Sequence, residues 1–402
     1  MSGFFYYFYF VKIFFVDSSE TVQPLGKLSH PVAFFDKKSL YPFTFIKSCL
    51  DLRVGILTLK EKWIKLASKL ALELICVGDS RGEEGLIWVS ANVVPSAPLL
   101  KVIQGMAAGD VLQQKGQAVA VRYSVKGDYS LRDLPVRVSL LQGVEDLFLT
   151  VGAEIRSDFG LLVEEQVQPL VSSTNQLLGT AFSIGADVSM ECATLNAMDG
   201  PIYIDEGVTI MEGARLRGPL YLGQGAVVKM GATIYGNVSV GKQSVVGGEV
   251  GNSVIGDFSA KGHHGYLGCS VVGDWCNLGA GTSNSNLKNN LKTVSIYDYR
   301  QEAFRDTGLL KCGAFIGDYS RLGINSALNT GTVIGMASML ADTSFYAKFV
   351  PSFAWVFDGD VQPYRLDKCM EYLEELYKSK GQKLPEQIKR ELNQLNRNII
   401  KS

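Results

Sequence analysis

The octapeptide at residues 261–268, KGHHGYLG, carries the side chains best suited to acid–base chemistry. The chain has three histidines, His30, His263 and His264, and the last two are adjacent. An imidazole with an ordinary pKa of about 6.5 suits proton removal near neutral pH. On a corner between strands it would point outward into a groove. Taken alone, a surface histidine pair without a role is the simpler reading; the surroundings change it. One isolated and two neighbouring histidines do not describe a histidine-rich metal site. Arg53, in DLRVG, could bind phosphate, although an arginine beside a strand is more often a salt-bridge residue. Lys288 and Lys292 could also supply charge to a phosphate, with a solvated loop as the plainer reading.

What must position the octapeptide is legible just upstream. From Gly200 to Gly248 an aliphatic residue recurs every six positions: Ile204, Ile210, Leu216, Leu222, Val228, Ile234, Val240 and Val246. A helix would repeat at about 3.6 residues and a half-buried strand at about 2. A six-residue step with glycine or small residues near the corners describes a parallel β-helix. Three short strands make one coil, and aliphatic side chains stack inward from coil to coil. The step returns at Ile316, Leu322, Leu328, Ile334 and Leu340, so an accidental pattern in an all-β sandwich is set aside. Twenty-five of the 42 glycines lie between Gly200 and Gly335, where tight corners need φ > 0 or no Cβ.

Four hundred and two residues allow two or three domains and a large core. A hydrophobic content of 47% with 20% charge describes a folded globular chain, and a net charge of −1 argues against a broad nucleic-acid footprint. The seven cysteines are scattered, odd in number and without a CxxC pair, which suits a reducing cytoplasm and no structural zinc. The N-terminal MSGFFYYFYFVKIFFV is aromatic enough to suggest a signal segment. However, it lacks a basic start and a small-residue cleavage site, Lys12 interrupts it, and it is too short to span a bilayer. We read VKIFFVD as the first buried strand of a domain and residues 1–10 as an extension.

Residues 11–155 read as an α/β domain. Val11–Val16, RVGILTL at 53–59, GLIWVSANVV, AVAVRY and VRVSLL are strand-like. Leu59, Trp63, Leu66, Leu70 and Leu74 mark one helical face, with Lys60, Lys62, Lys65 and Lys69 off it. Pro98 opens a second helix. Residues 156–200 show no clear repeat and read as a connector. The β-helix is expected over 201–350. Asn252 breaks its sixfold step, and coils continue in imperfect register at Ile255, Val272 and Leu278. Ser283–Cys312 is too polar and too long for a corner, so it reads as a loop thrown out of the coil, where function tends to sit. VPSFAWVFDG reads as leaving the coil, and 351–402 as a helical tail. There Leu366, Met370, Leu373 and Leu376 share one face, and Pro385 opens a last helix lined by Ile388, Leu392 and Leu395. Such helices would cap the open end of the coil.

KGHHGYLG, followed by NLGAGTSNSN and the polar excursion, resembles the acetyltransferase half of the bifunctional UDP-N-acetylglucosamine pyrophosphorylase/glucosamine-1-phosphate N-acetyltransferases. DLRVGILTLKEKW, GGEVGNSVI, WCNLGAGTSNSNLKNN, INSALNTGTVIG and VPSFAW point to a divergent bacterial branch with a shortened N-terminal domain. The resemblance covers nearly everything from Val11 to about Trp355 and is strongest in the β-helix. It implies a reduced nucleotidyltransferase-like domain, a left-handed coil and a homotrimer. It also implies acetyl-CoA as cosubstrate, with UTP and Mg²⁺ serving the N-terminal domain.

Carried over residue by residue, the motif makes His263 the general base that deprotonates the sugar amine and leaves His264 non-catalytic. Tyr266 and Asn277 match residues that hold the sugar phosphate; Ala280 and Asn286 match contacts to acetyl-CoA. There are departures. The family's upstream binding lysine falls near Gly251 here, and the tyrosine after the coenzyme-binding asparagine is Leu287. Asp318 and Met336 stand where small coenzyme-contacting residues are expected. The Gly-rich triphosphate loop has no counterpart. Arg53 is the remaining candidate for phosphate, and nothing selects among Asp17, Asp36 and Asp51 as Mg²⁺ ligands. The expected activity is acetyl transfer to glucosamine-1-phosphate with uridylyl transfer by the N-terminal domain, without nucleic-acid or membrane partners. The rival readings are an acyltransferase on a UDP-sugar, as in lipid A synthesis, and a non-catalytic sugar-nucleotide-binding scaffold.

Overall fold

Two hydrophobic patterns build two units. The computed structural model describes residues 10–17, 33–70, 73–76, 86–164, 171–342 and 345–401. Residues 1–9 of the expected extension and His30 lie outside them, while Phe10, the last residue of that extension, already belongs to the first strand. One unit is formed by residues up to Lys37, Ser48–Leu52 and Leu57–Gln142. The other contains Lys38–Lys47, Arg53–Ile56 and everything from Gly143 onward.

The first unit is an α/β layer. Its six strands are β1 (Phe10–Val16), β2 (Glu73–Cys76), β3 (Ile87–Ser90), β4 (Asp110–Gln114), β5 (Gln117–Arg122) and β6 (Ser130–Asp133). They lie in the order β2-β1-β3-β5-β4-β6, with β1 parallel to both neighbours. Helix α1 (Leu59–Lys69) starts on a reciprocal cap: the Thr58 hydroxyl accepts from the Glu61 amide, and the Glu61 carboxylate accepts from the Thr58 amide. Leu59, Trp63 and Ala67 bury its apolar stripe. Lys62, expected off that stripe, is buried as well, because it stands three residues from Leu59 on the same side of the helix. The helix ends before Leu74, which falls in β2. Helix α2 (Ala97–Gln104) carries Pro98 in its first turn, as expected. Residues 53–58 and 136–141 form no ladder strand; Val138 and Leu141 are buried in irregular chain, and Leu140 makes only an isolated bridge to Val93. The short apolar runs are strand-like in composition, but their pairing stops at single bridges, as where Val94 N donates to Ser139 O and Leu141 N to Asn92 O.

The second unit is a left-handed parallel β-helix. Its first ladder runs from Phe182–Ile184 to Phe349–Val350, its second from Ser189–Met190 to Ala354–Phe357, and its third from Gln176–Leu178 to Ala327–Leu328. Ile204 pairs Leu222, which pairs Val240, a step of 18 residues per coil. All thirteen aliphatics of the two sixfold runs are buried. The coil begins at Gln176, inside the stretch read as a connector. Its opening turns hide the repeat, because the inward Met190, Leu195 and Ile202 are unequally spaced. The break at Asn252 also has a local cause. Asn252 and Cys269 each turn the third-to-first corner as a single residue with positive φ, so those coils are short.

Helix α3 (Asp146–Leu162) packs on the outer face of the first ladder, with Phe148 against Phe315 and Phe159 edge-on to Tyr203. The excursion after Asn284 is tied at its ends by the bridge Leu287–Lys311 and contains an antiparallel hairpin, Ser295–Asp298 with Ala303–Asp306. Arg305 anchors it, giving two bonds to Glu145 (2.8 and 2.7 Å) and one to Asp298 (3.0 Å). VPSFAWVFDG does not leave the coil: Phe349–Val350 and Ala354–Phe357 pair in parallel with the preceding turn.

Helices α4 (Leu366–Lys378) and α5 (Glu386–Lys401) line the side of the coil rather than only its end. They pack on the first-to-second corners, where Phe258, Trp275, Tyr319, Ala337 and Phe353 all have positive φ. Of the earlier turns, two use glycine there, Gly207 and Gly225, and two use the polar Asp187 and Gln243. Large side chains tolerate the left-handed conformation because the ring gains a partner: Trp275 stacks on Phe258 at 4.2 Å and on Tyr377 at 4.3 Å. No helix among the described residues is long and apolar enough to cross a membrane.

Candidate active site

The second-to-third corner of one coil is the four-residue turn Gly262–Gly265, and it presents His263 and His264, both exposed. The turn is fixed from both neighbouring coils. Gly265 has φ +120°, and a Cβ there would lie 2.2 Å from the Thr282 carbonyl oxygen. A Cβ on Gly248 would lie 2.7 Å from the His263 carbonyl oxygen. Inside the turn, Lys261 occupies an inward position and is buried. Its Nζ donates to the carbonyls of His263 (2.6 Å), Gly247 (3.3 Å) and His264 (3.4 Å).

Tyr266 begins the next strand of the third ladder, and its hydroxyl accepts a 2.9 Å bond from Asn286 Nδ2. Two residues read from opposite halves of the reaction, acceptor and acyl donor, are thereby in contact. Burial raises the Tyr266 pKa, and it raises that of Cys269, whose Sγ lies 3.5 Å from Asn286 Nδ2. The ladder above Tyr266 is closed by side chains: Ser283 Oγ accepts from the Tyr266 amide (3.1 Å), and Asn284 Oδ1 accepts from the Gly268 amide (2.9 Å). That substitution seats the start of the excursion, and with it Asn286. A cleft of about 580 Å³ adjoins through Cys269, with Phe148, Gly152, Asn237, Asn252 and Lys311 on its walls.

Asn277 lies on the second ladder between Ala260 and Arg321. Ala280 lies on the corner that follows, and its carbonyl accepts from Asn325 N. His263, Ala280 and Ile324 therefore stand on one column of corners, with neighbouring coils about 4.8 Å apart. Asp318 and Met336, read as standing where the resemblance expects small coenzyme-contacting residues, lie on the first-to-second column of corners. Asp318 is buried, paired with Lys47 Nζ at 3.0 Å, and accepts from the Asp274 amide at 2.8 Å. Met336 is buried against the C-terminal helices. Ile324, 64% exposed, and Ala341 occupy the corners that follow Ala280.

Arg53 is not brought together with these residues. It belongs to the β-helix unit, where it donates to the Ile56 carbonyl (2.6 Å) and Asp257 (3.2 Å) and lies 5.3 Å over the Tyr221 ring. Lys288 is also engaged, by the Thr293 carbonyl, while Lys292 is exposed. At Gly251, where the resemblance expects a lysine, an added Cβ would meet the Tyr235 Cβ at 3.4 Å and the ring at 3.9 Å. Among the aspartates, Asp17 follows β1 directly and accepts from the Cys49 amide, whereas Asp51 caps the turn at Ser48. No cluster of three metal-binding side chains occurs among the described residues. Lys261 and Asn284 were missed, since both occupy positions that the repeat reserves for aliphatics.

Residues 32–167 match the family model described as sugar nucleotidyl transferase. A bifunctional sugar-1-phosphate nucleotidylyltransferase/acetyltransferase of Sulfurisphaera tokodaii is 39% identical over 87 residues, which are 22% of this chain and 21% of that protein. The match thus spans about a fifth of that curated relative. Among solved structures, a polySia-specific acetyltransferase is 15% identical with a TM-score of 0.27, aligned over 51% of this chain and 100% of its own. A UDP-N-acetylglucosamine acyltransferase from Campylobacter jejuni is 12% identical with a TM-score of 0.27, aligned over 55% and 94%.

Proposed function

We propose that this chain is a sugar-phosphate transferase. Its β-helix would move an acetyl group from acetyl-CoA to the amine of glucosamine-1-phosphate, and its N-terminal domain would transfer a uridylyl group from UTP to the product. The observation that supports this reading is the Tyr266–Asn286 hydrogen bond, three residues from His263. In the proposed step the sugar amine attacks the thioester carbonyl while the His263 imidazole takes its proton. A C–N bond forms and the C–S bond breaks. Coenzyme A leaves as thiolate and receives the proton back from the imidazolium. Positioning and proton transfer suffice, with no covalent enzyme intermediate. Tyr266 and Asn277 hold the sugar phosphate; Asn286 and Ala280 hold the acyl donor.

For the N-terminal reaction, Asp17 is the residue we assign to Mg²⁺. It stands at the carboxyl end of β1, between two parallel neighbours, where open α/β sheets take ligands. One carboxylate together with substrate phosphates is an ordinary Mg²⁺ environment. The ion would neutralise charge on the triphosphate. A cytoplasmic homotrimer is the assembly we propose, and light scattering at micromolar concentration checks it: a monomer would count against a shared site. Exposed Ile324 beside Ala280 favours a second reading, a longer acyl chain placed on a UDP-sugar. The purified protein is incubated with glucosamine-1-phosphate, acetyl-CoA or a longer acyl-CoA, UTP and Mg²⁺, and products are identified by mass. An acetylated sugar phosphate and its UDP derivative are expected. Binding without any product would refute the enzyme reading in favour of a scaffold.

A further inference from the structure

Val246 fills the inward position of the second ladder one coil before Lys261, and Leu278 fills it one coil after; both are buried aliphatics. Lys261 is just as enclosed, at 1% exposure. Burying an ammonium is costly unless its protons are taken up. Here main-chain carbonyls take them, from two successive coils. The reason for three carbonyls at this point lies in the corner lengths. The preceding coil turns this corner with Gly247 and Gly248 alone, between Val246 and Glu249. The next coil uses Gly262–Gly265. A two-residue turn cannot offer matching amides to a four-residue turn stacked on it. The carbonyls of His263 and His264 instead receive hydrogen bonds from the lysine.

We propose that Lys261 is a positioning residue for acetyl transfer: from inside the coil its ammonium fixes the peptide groups of His263 and His264, and so the direction in which the His263 imidazole leaves the corner. The inference rests on the reading of His263 as general base. Lys261 itself is enclosed by the coil and touches no substrate. A general base works only within hydrogen-bond reach of its proton, and a misplacement of about 1 Å can cost about 10²-fold.

The test is Lys261→Met in the full-length protein, with Lys261→Gln as a donor-retaining partner. Methionine suits an aliphatic position, so the melting temperature should hold or rise. The kcat for acetyl transfer should fall by about 10- to 100-fold with KM for glucosamine-1-phosphate nearly unchanged. Lys261→Gln should recover part of the loss. In the Lys261→Met background, His263→Ala should cost far less than it does in the wild type. Independently of activity, the amides of 263–265 should exchange hydrogen at least about 10-fold faster in Lys261→Met. An unchanged kcat or unchanged exchange overturns the proposal. So does a parallel loss of stability and activity in both variants, which would make Lys261 merely structural. A wild type with measurable transfer that is indifferent to His263→Ala removes the base reading instead, and that result is separable from the others.

Discussion

Tyr266→Phe removes one oxygen from the site, and the geometry sets how much that should matter. The hydroxyl accepts a well-formed 2.9 Å bond from Asn286 Nδ2, whose other neighbour is the weak acceptor Cys269 Sγ at 3.5 Å. A neutral intramolecular hydrogen bond contributes about 0.5–1.5 kcal/mol net. Taking about 1 kcal/mol, each single change, Tyr266→Phe or Asn286→Ala, should lower kcat/KM for acetyl transfer by at least about fivefold through this bond alone. The two changes share the bond, so the double variant should fall short of the product of the single effects by the same factor. The assay is coenzyme A release under kcat/KM conditions for the four proteins, with acetyl-CoA and glucosamine-1-phosphate varied in turn. The coupling should appear for both substrates, because one partner is assigned to each. Effects that simply multiply would refute the reasoning: the bond would then join two residues without joining the two halves of the reaction.

His263→Ala should lower acetyl transfer by about 10²- to 10⁴-fold without changing fold or assembly, and His264→Ala far less; equal losses would mean the motif's register is wrong. Burial lowers the Lys261 pKa from 10.5 to about 8. Between those values the unfolded chain binds more protons, so stability should rise with pH from about 8 to 10.5, by no more than about 3 kcal/mol. Chemical denaturation of wild type against Lys261→Met isolates that slope, and parallel curves would contradict it. Trp275→Ala removes a buried ring stacked on both sides and should destabilise by about 3–5 kcal/mol, read as a lower denaturation midpoint. Unchanged stability would mean the C-terminal helices are held elsewhere.

The coil was legible because one residue in six must be aliphatic wherever strands stack in register, and all eight positions from Ile204 to Val246 obey. The corner carrying His263 and the start of the excursion followed from the same count. Register across the excursion was not legible. Leu278 pairs Leu322, a step of 44 residues, and no local periodicity survives such an insertion. Ile324, on the column of corners that carries His263 and Ala280, therefore went unnoticed. Lys261 and Asn284 were illegible for a related reason: a pattern of inward aliphatics cannot announce where a polar side chain has replaced one. Leu74 shows the limit for short runs, since four residues fit a helical face and a strand equally well. Only pairing with β1 decides it.

The assortment of Lys38–Lys47 and Arg53–Ile56 with the β-helix has a consequence for how such a chain could be divided or recombined. Lys47 holds Asp274 and Asp318, Arg53 holds Asp257, and the Ile56 amide bonds Asp158. A cut at Gln142, or an exchange of halves with a relative at that seam, would carry those donors away. Four carboxylates built to receive them would be left behind. The halves are interlaced along the chain, so a recombinant joined at one point inherits the mismatch. A workable exchange has to carry residues 38–56 together with the coil they fasten.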